Sequence, residues 1–303
     1  LANAGVTIGP ATAEWWQGCA NFVDRELGVN GTTHGFSQTF LIDGKPPPVG
    51  STFINTGLAK TYSDIAEQGF DSFYEGRAAE SVVRQLAAAG SVLTMGDFAL
   101  ARADWVDPIS TKYRGYDIYE LPPNGQGLTV LQMLNILENF PIAELGPDSP
   151  NYWHYLIEAK KLAFEDRAHF YADPEFSCIP VDALCNKDYA ANRADLISNV
   201  ALQNPLHGDP AIAQGDTTYL SVADSTGLIV SLIQSIFVGF GSALVPEGMG
   251  FALQSRGAAF SLDDRHPNAY APGKRPFHTI IPAFVMYDDS PLLSFGVMGA
   301  DKQ

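Results

Sequence analysis

Apolar and polar positions recur with helical spacing over much of the first two thirds of the chain. Apolar residues three and four positions apart predict one helix that ends at Gly69 and another that ends at Gly90. The same spacing returns over about 127–139 and 150–172. Residues 1–50 show no such spacing, and we expect them to be irregular. This part of the chain is therefore predicted to be mainly helical.

Two local signals add detail to this helical part. Thr94 and Asp97 have the spacing of a capping box, which indicates the start of a helix. Between Asp107 and Leu121 the pattern changes to two short strands on either side of a turn at 114–116. The helical part is thus expected to contain one small β-hairpin.

The pattern changes again after a polar segment. Residues 198–216 contain two prolines and two glycines, which is typical of a linker. Alternation from Thr217 to Asp224 predicts a strand, and the nearly continuous apolar run from Leu228 to Ile233 predicts a strand buried on both faces. Further strands are predicted near 249–253, 278–287 and 291–297. A helical part therefore leads into a β-rich part, and we expect further segments beyond both ends of this sequence.

The turn between the first two strands of the β-rich part predicts how they pair. Residues 224–228 have the pattern of a hairpin turn, in which Gly227 suits the left-handed position. If Asp224 pairs with Leu228, Thr217 lies opposite Ser235. Directly opposed side chains on paired strands lie about 5 Å apart. The sequence thus predicts two neighbouring hydroxyl groups at the far end of the hairpin.

Such a pair of hydroxyl groups has a possible chemical use. A hydroxyl group is a poor nucleophile without a nearby base. If the bond between Asp216 and Thr217 is cut, the α-amine of Thr217 can act as that base, and its reference pKa of about 8 suits neutral pH. The alternative from the pattern alone is an ordinary pair of residues on a strand, because Thr is common in strands.

Composition narrows the class of protein. The chain has 303 residues, of which 46% are hydrophobic and 17% charged, so we expect an ordered globular protein with one or two domains. The net charge of −16 argues against a nucleic-acid partner, and no apolar run of about 18 residues predicts a membrane span. The three cysteines indicate neither a disulfide framework nor a zinc site, although a disulfide bond between Cys178 and Cys185 remains an alternative. The histidines show no metal-ligand spacing.

Charged residues in the predicted helix at 150–172 have a simple interpretation. Glu158, Glu165 and Asp166 lie at helical spacing from basic residues of the same helix, so ion pairs within the helix are expected. Gly125 to Gly127 is interpreted as a helix start rather than a phosphate loop, because the Lys and the Ser or Thr of a phosphate loop do not follow.

Several motifs resemble one family of enzymes. Residues 217–224 (TTYLSVAD) resemble the segment that opens the small subunit of gamma-glutamyltranspeptidases. Residues 119–127, 131–138 and 158–167 resemble motifs of the large subunit, and 272–276 (PGKRP) resembles a further motif. These matches occur in the family's order and extend from about residue 50 to the end, which makes the resemblance specific.

The resemblance implies a fold and an activity. It implies an α+β fold of the αββα N-terminal-nucleophile hydrolase type, cut autocatalytically before Thr217. Residues 1–216 would be the large-subunit part and 217–303 the small-subunit part, and the two fragments would associate as one enzyme. Family members hydrolyse or transfer acyl groups of small-molecule amides, typically the γ-glutamyl group of glutathione. Neither a metal nor an organic cofactor is implied.

The resemblance also implies roles for single residues. Thr217 matches the nucleophile and Thr218 follows it as in the family, so both are candidate site residues. Ser235 matches a Thr whose hydroxyl contacts the nucleophile, in agreement with the pairing derived from the turn. Gly299 and Ala300 match a Gly-Gly pair whose backbone N–H groups form an oxyanion hole.

Other positions depart from the family pattern at the substrate site. Phe237 stands where the family has Asn, and Arg256 where it has Gln. Ala258 and Ala259 replace a pair of acids, the second of which receives the α-amino group of the substrate. His278-Thr279 replaces a Ser-Ser pair that holds the α-carboxylate. Loss of the acid and gain of cationic groups should favour an acyl group with a carboxylate and no ammonium, because an unpaired buried ammonium is costly.

Three hypotheses follow. The first is an amide hydrolase or acyltransferase of this family that acts on γ-glutamyl or related amides, with hydrolysis favoured. The second is an acylase for a dicarboxylic monoamide without an α-amino group, of the glutaryl or oxamate type. The third is an inactive binding or scaffold homologue, in which Thr217 is only a strand residue. For Arg256 a solvated or salt-bridged surface role, and for His278 a structural role, are the alternatives.

Overall fold

The computed structural model describes residues 1–27, 35–203 and 215–299, which form two compact units. One unit comprises Leu1–Asp104 and Val238–Ser255, and the other comprises Trp105–Phe237 and Arg256–Gln303. Each unit contains residues from both sides of the predicted cleavage site between residues 216 and 217. The parts 1–216 and 217–303 therefore stay a prediction about cleavage and do not correspond to structural units.

The first unit is mainly helical. Its elements are β1 (Val6–Thr7), α1 (Pro10–Leu27), α2 (Phe36–Phe40), β2 (Thr52–Phe53), α3 (Thr56–Gln68), α4 (Asp71–Tyr74), α5 (Arg77–Ala88) and α6 (Met95–Ala99). The predicted helix ends are confirmed, since α3 stops before Gly69 and α5 shortly before Gly90, both of which have positive φ. The capping box of Thr94 and Asp97 starts α6 as predicted.

Two predictions for this unit are wrong. Residues 1–50 are not irregular, because they contain α1 and α2. These helices bury aromatic side chains around Phe240, whose ring centroid lies 5.5 Å from that of Trp16 and 5.0 Å from that of Phe36. The segment 249–253 is not a strand, although Leu253 exchanges backbone hydrogen bonds with Ser242 and Leu244. In both cases the stabilising partner is distant along the chain, so local spacing does not reveal it.

The second unit combines helices with β-strands. Its elements are β3 (Ile109–Tyr113), β4 (Tyr116–Glu120), α7 (Gly127–Leu137), α8 (Ile142–Leu145), α9 (Pro150–Phe170), α10 (Val181–Leu184), α11 (Lys187–Ala194), β5 (Gly215–Ala223), β6 (Ile229–Val238, whose last residue belongs to the first unit), a 3₁₀ turn (Arg256–Ala259), β7 (Pro282–Tyr287) and β8 (Ser290–Gly296). The α+β class and the predicted helices at 127–139 and 150–172 agree with this arrangement.

An antiparallel sheet in the order β3–β4–β7–β8 organises the second unit. Ile118 of β4 pairs with Val285 of β7, and both pack with Leu131 of α7 in one hydrophobic cluster. The sheet therefore joins β3 and β4 to two strands that follow them by more than 160 residues.

Helices α7, α9 and α11 share polar contacts that differ from the predicted ion pairs. The pair of Lys161 with Glu158 within α9 is confirmed, at 2.7 Å. Asp166 and Glu165, however, pair with Arg193 from α11, at 2.9 and 3.3 Å. Asp166 also accepts a hydrogen bond from Gln132 of α7 at 2.7 Å. These carboxylates connect helices instead of pairing within one. Asp166 is buried, and a buried carboxylate is costly unless it is paired and hydrogen-bonded.

The hairpin of β5 and β6 forms as its turn predicts. The backbone N–H of Asp224 donates to the carbonyl of Leu228 at 3.0 Å, and Gly227 has a φ of 90°. On the odd-numbered face, the hydroxyl of Tyr219 contacts that of Ser294 in β8 at 2.8 Å. A Cβ on Gly296 would collide with the Tyr219 ring, so β8 needs glycine at this approach.

The prediction that Leu228–Ile233 is buried on both faces is wrong. Burial alternates from Ile229 to Ile236, and the even-numbered side chains of the hairpin from 218 to 236 are exposed. Apolar side chains on this exposed face are Leu220, Val222, Leu228, Val230, Leu232 and Ile236. An apolar run in the sequence does not by itself show which face of a strand is covered by another layer.

Three further observations concern the described residues. The cysteines Cys19, Cys178 and Cys185 are free, so the bond left open between Cys178 and Cys185 is not formed. Within residues 1–27, 35–203 and 215–299, no helix combines the length and apolar character needed to cross a membrane. The same residues contain no group of three or more His, Cys, Asp or Glu side chains placed to hold a metal ion.

Candidate active site

Thr217 and Ser235 meet at the open end of the β5–β6 hairpin. Their hydroxyl oxygens lie 3.2 Å apart in hydrogen-bond contact, so the predicted pairing is confirmed. Thr217 is half-buried, which leaves part of its side chain accessible. Most of the predicted linker before it, residues 204–214, lies outside the described residues.

Ser235 is the centre of a larger cluster. Its oxygen accepts hydrogen bonds from the backbone N–H of Phe237 at 2.9 Å and from Nη2 of Arg256 at 3.0 Å. Phe237 has a φ of 80°, which residues other than glycine rarely adopt, so its backbone is strained. The bond to Ser235 is one of the contacts that holds Phe237 in this conformation.

Arg256 is a buried residue of this cluster and not a surface residue. It is 4% exposed, Nη1 donates to Oγ1 of Thr279 at 2.9 Å, and the guanidinium lies 4.4 Å from the centroid of the Phe237 ring. A buried cation is costly unless its donors are used, and these contacts use several of them. The alternative of a solvated or salt-bridged surface Arg256 is therefore wrong.

His278 lies next to this cluster and is uncharged at neutral pH. Burial, followed by the positive charge of Arg256, lowers the pKa of His278 to about 4. Its backbone N–H donates to the carbonyl of Asn124 at 2.9 Å. The prediction that His278 adds positive charge to the site is thus wrong, and Arg256 supplies that charge.

A loop before α7 supports the segment that carries His278 and Thr279. Nδ2 of Asn124 donates to the carbonyl of Pro276 at 2.7 Å, and Nε2 of Gln126 donates to the carbonyl of Thr279 at 3.3 Å. Arg167 of α9 in turn donates to Oε1 of Gln126 at 2.7 Å. From the sequence, 125–127 indicates only a helix start and the basic residues of α9 indicate only ion pairs, so this supporting role was not predicted.

Asn268 connects the 3₁₀ turn to the same segment. Its Nδ2 donates to the carbonyl of Ala259 at 2.6 Å, and its Oδ1 accepts from the backbone N–H of Phe277 at 3.1 Å. Asn268 is 5% exposed, and Ala259 is half-buried. Asn268 was not predicted as a site residue, because nothing in its local pattern indicates that it links two distant segments.

The remaining site candidates are Thr218, Gly299 and Ala300. Thr218 is exposed on the opposite face of β5, because successive residues of a strand point to opposite faces, so its place in a shared site with Thr217 is not supported. Gly299 follows β8 with a φ of 148°, which favours glycine. Ala300 lies outside the described residues, and the oxyanion-hole role of this pair stays a prediction.

Comparison with known proteins gives consistent matches. The family model described as gamma-glutamyltranspeptidase matches residues 1–303. The chain is 39% identical over 280 residues to the glutathione hydrolase-like YwrD proenzyme of Bacillus subtilis, covering 92% of this chain and 53% of that protein. It is 38% identical over 269 residues to the oxamate amidohydrolase proenzyme of Klebsiella pneumoniae, covering 89% of this chain and 50% of that protein.

A solved structure is similar over almost the whole chain. The crystal structure of a cephalosporin acylase from Bacillus halodurans matches with a TM-score of 0.88 and 38% identity, covering 97% of this chain and 53% of that one. The chain spans about half the length of the curated relatives it matches.

Proposed function

Because the chain belongs to the gamma-glutamyltranspeptidase family, we propose that Thr217 is the nucleophile of an amide-bond hydrolase. Cleavage between Asp216 and Thr217 would turn the Thr217 backbone nitrogen into a free α-amine. The observation that carries this proposal is the 3.2 Å contact between the hydroxyl groups of Thr217 and Ser235, where the strand begins. Relatives described as proenzymes support the cleavage step.

The proposal includes a fold and an assembly. The two fragments, 1–216 and 217–303, remain associated as the large- and small-subunit parts of one enzyme. The strands of the second unit belong to an αββα sandwich of the N-terminal-nucleophile type. Similarity to the cephalosporin acylase structure over nearly the whole chain supports this interpretation.

The reaction proceeds in two balanced halves. The α-amine of Thr217 takes the hydroxyl proton while Oγ1 attacks the amide carbon, and the C=O electrons move to the carbonyl oxygen. Backbone N–H groups of Gly299 and Ala300 would bind that oxyanion. Collapse breaks the C–N bond, and the leaving amine takes the proton from the ammonium. Water then attacks the acyl-Thr217 ester with the same amine as base, which releases a carboxylic acid and restores Thr217. These steps use no metal or organic cofactor.

The charges around the site favour one class of acyl group. Arg256 supplies a positive charge, and His278 is neutral. Ala259 stands at the position where the family resemblance implies an acid that binds the α-amino group of the substrate. An acyl group with a carboxylate and no ammonium fits these charges best. The relative described as an oxamate amidohydrolase supports this choice, because oxamate has a carboxylate and no ammonium.

N-terminal sequencing of the full-length protein after purification tests the proposal. The smaller fragment should begin Thr-Thr-Tyr-Leu, because cleavage must free the amine of Thr217. Thr217→Ala should leave one uncut chain, whereas the matched control Thr217→Ser keeps a hydroxyl and should still be cut. A fragment that begins elsewhere, or an uncut wild type, contradicts the proposal and favours the inactive-scaffold hypothesis.

A further inference from the structure

Tyr219 connects the β5–β6 hairpin to the β3–β4–β7–β8 sheet. Its hydroxyl lies 2.8 Å from that of Ser294 in β8 and 3.0 Å from that of Ser231 in β6. Each of these hydrogen bonds joins two hydroxyl groups, so either partner can donate. The Ser231 hydroxyl also donates to the backbone carbonyl of Ala283 in β7 at 3.4 Å. The odd-numbered face of the hairpin therefore contacts the sheet through a chain of hydroxyl groups.

The ring of Tyr219 lies directly against the backbone of β8. A Cβ on Gly296 would lie 2.6 Å from Cε2 of this ring and 2.9 Å from the carbonyl oxygen of Ile281. Real Cβ atoms do not approach other atoms so closely, so a side chain at this position would have to displace β8 or the ring. The Tyr219 ring thus sets how far the hairpin lies from this end of β8.

Both proposed reacting groups are a short distance along the chain from this contact. Thr217 precedes Tyr219 by two residues, so the two side chains lie on the same face of β5. Gly299 follows Gly296 by three residues, which span at most about 11 Å. The two residues between them are exposed, so their side chains do little to anchor this segment. A displacement at the contact of Tyr219 with Gly296 should therefore change the distance between Thr217 and Gly299.

Resting on the proposed function, we propose that Tyr219 is a positioning residue for the oxyanion hole. Its hydroxyl and its ring hold the end of β8 at the distance from Thr217 at which the backbone N–H of Gly299 meets the developing negative charge. Such donors act only when they are already placed where the charge develops, and the loss of one lowers kcat by about a hundred- to a thousandfold. This role acts through β8, whereas Ser235 contacts the nucleophile itself.

A pair of ester substrates separates this role from a general loss of structure. During attack, p-nitrophenyl acetate develops negative charge on oxygen, whereas its thiono analogue, in which sulfur replaces the carbonyl oxygen, develops it on sulfur. Sulfur is a weak hydrogen-bond acceptor, so N–H groups placed for an oxyanion favour the oxygen ester. The ratio of the two nitrophenol burst rates therefore reports how well these donors are placed. A smaller active fraction leaves this ratio unchanged.

Three variants of the full-length protein change the contact in different ways. Tyr219→Phe keeps the ring and removes its hydroxyl, Ser294→Ala removes the partner hydroxyl, and Gly296→Ala adds the Cβ that collides with the ring. Cleavage of each variant is checked by N-terminal sequencing, and the burst is corrected with Thr217→Ala. Tyr287→Phe is the matched control, because Tyr287 is an exposed tyrosine at the end of β7 that pairs with the start of β8.

The expected results differ between the variants. Tyr219→Phe and Ser294→Ala should each lower the oxygen-ester rate by about two- to tenfold and the ratio of oxygen to thiono ester by a similar factor. The double variant should cost little more than Tyr219→Phe alone, because both changes remove the same hydrogen bond. Gly296→Ala should lower the oxygen-ester rate by about a hundredfold, because it requires a shift of about 1 Å. Ser235→Ala should slow both esters and keep the ratio, and Tyr287→Phe should change neither. If Gly296→Ala does not fold or is not cut, the two hydroxyl variants still decide.

Two outcomes would overturn the inference alone. One is a cut, active Tyr219→Phe protein whose ratio of oxygen to thiono ester equals that of wild type. The other is a cut Gly296→Ala protein with wild-type rates on both esters. An uncut wild type, or a burst that does not depend on Thr217, would instead contradict the proposed function and the inference with it.

Discussion

Glu120 is a buried acid whose replacement by Gln should change how stability depends on pH. It ends β4, is 1% exposed, and neither carboxyl oxygen has a hydrogen-bond partner within the described part of the chain. Gly127 at the start of α7 approaches so closely that a Cβ there would lie 2.7 Å from Oε2 of Glu120. Burial raises the pKa of Glu120 to about 8, and the nearby backbone N–H of Leu121 offsets this only partly.

The sign and size of the effect follow from this pKa. Between about pH 4.5 and 8 the folded protein holds a proton on Glu120 that the unfolded chain has released, so folded stability falls as pH rises through this window. This destabilisation is absent below about pH 4.5, where Glu120 is protonated in both the folded and the unfolded state. It is complete above about pH 8. Each pH unit within this window lowers the free energy of unfolding by at most about 1.4 kcal/mol, and the whole window lowers it by about 3–5 kcal/mol. Glu120→Gln is neutral in both states and removes this slope.

Urea unfolding of wild type and Glu120→Gln at half-unit steps from pH 4.5 to 8.5 measures the effect. The free energy of unfolding of Glu120→Gln minus that of wild type should increase steadily across the window and then level off. Glu67→Gln, which changes an exposed acid on α3, should run parallel to wild type. Parallel curves for Glu120→Gln would show that Glu120 ionises in the folded protein as it does in water, and would refute the reasoning.

Two further predictions concern the site. Ser235→Ala should slow turnover by about ten- to a hundredfold while the protein still folds, because it removes a hydroxyl contact of Thr217 worth about 1–3 kcal/mol. An unchanged rate in a protein whose nucleophile is confirmed as Thr217 would mean that this contact is not used. Ala259→Asp should shift the ratio of kcat/KM for γ-glutamyl over glutaryl anilide upward by about ten- to a hundredfold, because it restores an acid for the α-amino group. A wild type that already prefers the γ-glutamyl anilide about a thousandfold would show that another residue binds the ammonium.

The parts of the site that sequence analysis predicted are those that local chemistry determines. The turn at 224–228 sets the pairing of β5 with β6. In an antiparallel pair, the partner's residue number falls by one for each residue that is added along the first strand. The contact between Thr217 and Ser235 therefore follows from counting residues. The capping box at Thr94 and the helix ends at Gly69 and Gly90 are local in the same sense, because each depends on residues within one turn of helix.

The sequence by itself determined the hairpin, the ends of α3 and α5 and the family resemblance, whereas the tertiary structure decided what each site residue does. Arg256 is 21 residues from Ser235 and 23 from Thr279, and only the folded chain buries it between them. The charge of His278 depends on burial and on that same arginine, so residue type alone predicted a cation where the side chain is neutral. The helices before residue 50 and the exposed face of β6 were missed for a related reason. Burial is a property of what packs against a segment, and the packing partner is usually far away along the chain.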